Sequence, residues 1–297
     1  MKPRIPLPEP FITAPFTSEE AIATGITRNR LRGADLQRPF RGVHVPTREQ
    51  LGIVELCRAL QHKLPNHAYF CGVTAAVIMG VPLPSRHERS KVVHVAVPPP
   101  HRAISGRNIR GHTFHTSAME VREWHGLRIS TPERTWCQLA MSLTVAELVA
   151  AGDFLIHWRL PSTNEAALRN AVDRFSNRRG IRTLQLAVGL LDDRSESPRE
   201  SHLRVIFVTG GLTGLAVNLP ITTSEGFRYR ADLAFPDKRV IVEYQSDFHR
   251  DPARYRADMT RISRLEADDW YVILVNSDDL GNPAELLQRV RSVLSRR

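Results

Sequence analysis

Two carboxylates and an amide sit where strands would carry apolar residues. The stretch YRADLAFPDKRVIVEYQ, residues 229–245, reads as two short apolar strands around a Pro-Asp turn, yet it contains Asp232, Glu243 and Gln245. Carboxylates inside such strands cost free energy unless they are solvated, paired or bound to a cation. If Pro236–Arg239 is a four-residue turn, Phe235 pairs with Val240 and Asp232 falls opposite Glu243; a shorter turn changes this register. Like charges on cross-strand neighbours are unfavourable without a cation between them. Gln245 lies two residues beyond Glu243, on the same face. Hard oxygen ligands converging on one point suit Mg²⁺. The plain alternative is a solvated sheet face, with Asp232 paired to Arg228 or Arg230 and Glu243 to Arg239.

A third acid precedes these strands. ESPRESHLRVIFV, residues 196–208, is expected to form a helix with Ser197 as cap and Pro198 in the first turn. Glu200, Leu203, Arg204 and Phe207 then fall on neighbouring positions, so one carboxylate borders an apolar face. Glu200 serves equally well as the acid of a capping box.

D-x10-E-x-Q after a Glu-bearing helix resembles the PD-(D/E)XK nuclease superfamily, in its Vsr-like (very-short-patch-repair) branch, and VEYQSDFHR resembles a strand of the endonuclease-like domains there. The likeness covers roughly residues 190–297. It continues through RYRADMTRISRLEADDWYVILVNSDDL, expected as helix then strand, with Arg254, Asp258, Arg261 and Leu265 at helical spacing. The resemblance implies that Asp232 and Glu243 hold Mg²⁺ (Mn²⁺ as substitute) and that Glu200 completes the site. It further implies that Gln245 takes the place often filled by Lys and orients water, and that His249 donates a proton or contacts phosphate. Arg250, Arg254 and Arg256 would line the approach to the phosphate. Gln245 removes a cation relative to the family pattern, and Ser246 stands where relatives usually have Gly.

The charge balance points the same way. Lys and Arg number 41 against 31 acids, a net charge of +10, and only Lys2, Lys63, Lys91 and Lys238 are lysines. Arginine suits bidentate phosphate contacts; a genome of high G+C content also favours it. In TSEEAIATGITRNRLR, residues 17–32, Thr17 and Glu20 fit a capping box, Gly25 breaks the helix, and Thr27 can cap a second helix with Leu31 inward. That is a helix-turn-helix pattern, though such shapes also form bundle corners. PFRGVHVP, residues 39–46, supplies a short hairpin, as a wing would. Arg28, Arg30, Arg32 and Arg41 are the expected DNA contacts on second helix and wing. Residues 14–160 resemble the abortive-infection antitoxin family (AbiEi-like), in this opening, the FRGVHVP segment and CGVTAAVIMGVPLP. The resemblance implies promoter binding and repression of an operon carrying a cognate toxin.

The elements between these motifs are mixed. QLGIVELCRALQHKL and AYFCGVTAAVIMGVPLP read as helices, KVVHVAVPP and RGHTFHTSAM as strands, and LRISTPERTWCQLAMSL as strand then helix from Thr131-Pro132. Two amphipathic helices meet at Arg179-Gly180. His112 and His115 read as a solvent-facing or structural pair. No apolar run reaches membrane-spanning length, MKPRIPLPEPF has no signal-peptide core, and Cys57, Cys71 and Cys137 lack metal-site spacing. The expectation is a cytoplasmic two-domain α+β protein with no small-molecule cofactor and no membrane partner. Residues 1–160 form a winged-helix region with an α/β extension, 161–195 a helical connection, and 196–297 a restriction-endonuclease-like α/β domain with a mixed sheet. The expected activity is metal-dependent hydrolysis of phosphodiester bonds in double-stranded DNA; the alternative is an inactive nuclease fold serving a repressor or antitoxin.

Overall fold

Helix caps and glycine turns cut the chain into many short elements. The computed structural model describes residues 6–47, 50–115, 117–175, 179–245 and 252–297, with 118 and 252–255 described by backbone alone. It is a mixed α+β structure that divides into two compact units, 1–139 and 140–297. The division falls before residue 160, and the helices of 161–195 belong to the second unit.

The first unit opens with β1 (Phe16–Thr17) and α1 (Ser18–Ala23), whose capping box joins Thr17 and Glu20 as the sequence predicts. Gly25, at φ 87°, ends α1. The expected second α-helix is a single 3-10 turn, Arg30–Arg32. Leu31 is the one large apolar residue between Ile26 and Leu36, and Gly33 follows at once. One buried contact does not offset the cost of nucleating a longer helix. The hairpin is present: Gln37 bridges Val45, Gly42 turns at φ 75°, and β2 (Val43–His44) pairs antiparallel with β1.

After α2 (Ile53–Gln61) the segment expected as one helix splits into β3 (Tyr69–Phe70) and α3 (Gly72–Ile78). Two adjacent aromatics favour the pleated surface over a helix, and Gly72, at φ 51°, makes the switch. There follow α4 (Ser85–Glu88), β4 (Val93–Val97), β5 (Ile109–Thr113), β6 (Val121–Trp124), β7 (Leu127–Ser130) and α5 (Pro132–Leu139). The sheet runs β5-β4-β3-β7-β6, with β3 in the middle. His112 does not pair with His115: its Nε2 meets His94 Nδ1 of the adjacent strand at 3.1 Å, while His115 is exposed. The three cysteines are buried thiols.

The second unit begins with α6 (Val145–Ile156), α7 (Glu165–Asp173) and α8 (Ile181–Val188). Gly180, left-handed at φ 80°, turns the chain into α8; a Cβ there would lie 2.9 Å from the Ala140 backbone, so glycine is required. Then come α9 (Pro198–Thr209), β8 (Ala216–Thr222), β9 (Arg228–Phe235), β10 (Val240–Tyr244), α10 (Pro252–Ala267), β11 (Tyr271–Val275), α11 (Ser277–Gly281) and α12 (Pro283–Arg296). The mixed sheet runs β11-β10-β9-β8, with β10 parallel to β11 and antiparallel to β9. Leu203 and Phe207 of α9 and Leu286, Val290 and Val293 of α12 pack with Leu233, Phe235, Val240 and Val242 of the sheet. Leu265 of α10 packs with Ala234 and Ile241, whose strand positions alternate with those residues. Among the described residues no helix is long and apolar enough to cross a membrane.

Candidate functional site

The site is set by the connection between β9 and β10. Pro236–Lys238 form one 3-10 turn, and Arg239 closes it in the left-handed region at φ 51°, its N–H donating to the Pro236 carbonyl at 3.0 Å. Phe235 consequently faces Val240, Ala234 faces Ile241 and Leu233 faces Val242, the register that the four-residue turn predicts. Continued by one step, it sets Asp232 opposite Glu243. On the other side of β9 the ladder to β8 joins Leu233 to Val217 and Ala231 to Leu219 but omits Asp232 and Asn218. Asn218 takes φ 48°, a conformation asparagine tolerates. Asp232 therefore lies at a break in the ladder, its Oδ2 accepting from the Tyr244 N–H at 3.3 Å.

Glu243 is 9% exposed and pairs with Arg261 of α10. The Arg261 guanidinium also donates to the Arg230 carbonyl at 3.1 Å. Two of the three arginines of the simple sheet-face pairing are engaged elsewhere. Arg230 binds Glu196, which Arg159 also approaches at 3.3 Å, and Arg239 donates to the Asp268 carbonyl at 2.9 Å. Burial, then the charge of Glu200, pushes the Asp232 carboxyl up to about 6. Burial raises Glu243 to about 7 against the pull of Arg261, with Asp232 and Asp258 adding repulsion.

Two carboxylates on one face, each resisting ionisation, are a donor set that fits a hard divalent cation. Mg²⁺ takes one or two carboxylates and completes its shell with waters or phosphate oxygens. Asp232 and Glu243 are the residues that could hold it. Glu200 is placed differently. It is 7% exposed, and its Oε2 accepts from the Glu196 N–H at 2.9 Å and from Asn218 Nδ2 at 3.2 Å. The Ser197 hydroxyl accepts from the Glu200 N–H at 3.2 Å, so the acid turns back over its own helix start. Among the described residues no group of three or more His, Cys, Asp or Glu side chains could hold a metal ion. Glu200 is thus near enough to influence Asp232 but is not gathered into a three-ligand cluster.

Gln245 follows β10; its N–H donates to the Val275 carbonyl at 2.7 Å, and alternation puts it on Glu243's face. Ser246, His249 and Arg250 lie outside the described residues, and of Arg254 only the backbone in α10 is described. In the first unit Arg28, Arg32 and Arg41 are exposed. Arg30 is not a surface contact. It is 9% exposed and donates to Asp35 through both terminal guanidinium nitrogens, Nη1 and Nη2, at 3.1 and 2.6 Å. That arginine holds its turn closed.

Three contributors escape sequence reasoning. Asn218 supports Glu200 from the ladder break, and its signal is only an Asn within a strand. Arg261 was legible as part of a helical stripe, but not as the partner of Glu243. Asp153 of α6, 1% exposed, accepts from Ser201 Oγ at 2.6 Å, Arg204 Nη2 at 2.7 Å and the Asp192 N–H at 2.8 Å. It anchors α9, the helix that carries Glu200. A cleft of about 1020 Å³ in the same unit, lined by Trp158, Asn164, Asp192, Arg194 and Val217 among others, includes neither Asp232 nor Glu243. The carboxylate pair therefore belongs to the sheet surface rather than to that cleft.

No family model matches the chain. It is similar to the uncharacterized proteins MT2308 and Rv2248 of two Mycobacterium tuberculosis strains, CDC 1551 and H37Rv; each is 26% identical over 270 residues, 90% of this chain and 95% of the relative. Among solved structures, the crystal structure of the Rv2827c protein from Mycobacterium tuberculosis aligns with a TM-score of 0.41 and 16% identity, over 65% of this chain and 75% of that one.

Proposed function

We propose that the chain acts on DNA and that its second unit is a Vsr-like nuclease domain hydrolysing phosphodiester bonds with a divalent metal ion at Asp232 and Glu243. One observation carries the reading: the β9–β10 register sets two acids opposite each other on one face, where burial and neighbouring negative charge hold both carboxyls above their usual range. When bound there, Mg²⁺ or Mn²⁺ would supply an activated water and neutralise charge on the phosphate. Asp232 and Glu243 would hold the ion, and Gln245, on the same face, would orient the water. Arg261 would exchange its partner, from Glu243 to the incoming phosphate, since a guanidinium binds either oxyanion bidentately. The first unit binds DNA through Arg28, Arg32 and Arg41, in the manner of AbiEi-like antitoxins, with the loop after α1 and the hairpin at Gly42 presenting the arginines in place of a full recognition helix.

A second reading has its own observation. Arg261 already neutralises Glu243, and Gln245 provides no cation; a repressor or antitoxin with a silent nuclease fold, paired with a cognate toxin, would show the same two features. Cleavage of plasmid and oligonucleotide DNA with Mn²⁺ separates the two. The wild type is expected to cleave, and Asp232→Asn and Glu243→Gln are expected not to. Metal binding without cleavage of any substrate would overturn hydrolysis in favour of the repressor.

A further inference from the structure

A run of alternating aromatic and guanidinium groups leads along β9 and α10 to Glu243. Phe227, immediately before β9, is 36% exposed. It is presented by a closed turn: the Thr223 N–H donates to the Phe227 carbonyl at 2.9 Å, and the Phe227 N–H to Thr223 Oγ1 at 3.1 Å. Arg264 of α10 lies over the Phe227 ring, its Cζ 3.7 Å from the centroid, and Nη1 reaches the Tyr229 hydroxyl at 3.5 Å. The Phe227 and Tyr229 rings stand 6.5 Å apart at 25° to each other. Arg261 sits over Tyr229 at 5.8 Å and ends the run on Glu243. Arg228, between the two rings in sequence, is exposed.

We infer that this face binds unpaired nucleotides, stacking a base on Phe227 and delivering the adjoining phosphate to Arg261 beside Asp232 and Glu243. Aromatic faces take bases at least cost when those bases are unpaired, because in a duplex both faces of each base are covered by its neighbours and must be unstacked first. Guanidinium groups interleaved with the rings supply the counter-charge for the backbone, the combination that single-strand binding surfaces use. A ring that only stapled α10 to the sheet would be buried, as Leu265 is. Phe227 is instead held out on a rigid turn, with its face shared by a cation that a base can displace. The inference rests on the hydrolytic reading for what happens to the delivered phosphate, but binding itself does not require it.

The test uses the full chain in EDTA, with fluorescence anisotropy on a labelled oligo-dT strand and on a duplex of equal length. Phe227→Ala is expected to weaken oligo-dT binding about tenfold while leaving duplex binding unchanged, and Phe227→Trp to restore it. An unchanged melting temperature for Phe227→Ala shows that the loss is not unfolding. Measured in EDTA, binding is read without turnover, so a failure of hydrolysis would not register here. No oligo-dT binding by the wild type, equal single-strand binding by Phe227→Ala, or equal loss on both DNAs would each overturn the inference.

Discussion

Among the described residues Asp232 forms no ion pair: its one hydrogen bond is from the Tyr244 N–H, and burial and the charge of Glu200 outweigh the pull of Arg261 and Arg230. Its carboxyl, with that of Glu243, therefore gives up its proton later in the folded chain than in the unfolded one. A group whose folded pKa is raised makes the native state hold more protons, so its contribution to stability falls as pH rises. The window runs from the ordinary carboxylate range up through about 6 for Asp232 and about 7 for Glu243. Asp232→Asn removes one of those ionisations and keeps an oxygen for Tyr244. The variant is expected to match the wild type near pH 4 and to exceed its stability at pH 8 by on the order of 2 kcal/mol. Thermal melts at the two pH values check this, and a less stable variant at pH 8 would instead mean that Asp232 is held by a salt bridge. In the same melts Mn²⁺ should raise the wild-type midpoint and not the variant's. The acids themselves were legible in the sequence, because a Pro-Asp turn fixes strand parity and parity fixes the face. The engagement of Glu200 was legible only as a choice between cap and site. Asn218, which decides it, is 18 positions away and breaks no pattern.

Elements followed the same rule: those written by local chemistry were legible, and those set by distant packing were not. Ser197 and Thr17 announce their helices, and Gly180 announces a turn. The second helix of the first unit looked equally well capped by Thr27, whose Oγ1 does accept from the Arg30 N–H at 3.2 Å. With little apolar surface to bury, the segment stops after one 3-10 turn, and Arg30 folds back on Asp35. That separates two kinds of arginine within five residues. Arg30→Ala removes the two hydrogen bonds that Arg30 gives the half-buried Asp35 carboxylate and is expected to cost about 2 kcal/mol of stability. Arg28→Ala and Arg32→Ala, at exposed positions, are expected to leave the melting temperature unchanged. They should weaken duplex binding and flatten its dependence on salt, by roughly one phosphate contact each. Melting curves and binding isotherms at several salt concentrations, taken on all three variants, distinguish the roles. A destabilised Arg28→Ala or a fully stable Arg30→Ala would reverse the assignment.

At the scale of the molecule, the two units place the boundary where sequence alone did not. The helical run from 161 to 195 reads as a connection and the apolar helix before it as the end of the N-terminal region, because a single Asp within α6 gives no hint of a partner 51 residues on. In the structure Asp153 is the acceptor for Ser201 and Arg204, both on α9 and both buried. Leu148, Val149 and Leu155 of α6 are buried with it. A fragment starting at 140 keeps these contacts; one starting at 161 loses α6, uncovers the apolar surface beneath it and leaves the Arg204 guanidinium without its carboxylate. Removing one partner of a buried ion pair costs about 3–5 kcal/mol, and for a domain of this size each kcal/mol is worth roughly 2–4 °C. Residues 140–297 are therefore expected to unfold in one cooperative transition, and residues 161–297 to melt at least about 10 °C lower or to aggregate. Because α9 also carries Glu200 beneath the ladder break at Asn218, the shorter fragment should lose Mn²⁺-induced stabilisation as well, even at temperatures where it is still folded. Equal melting of the two fragments would show that the sheet and its flanking helices are complete without α6, and would move the boundary back to residue 160.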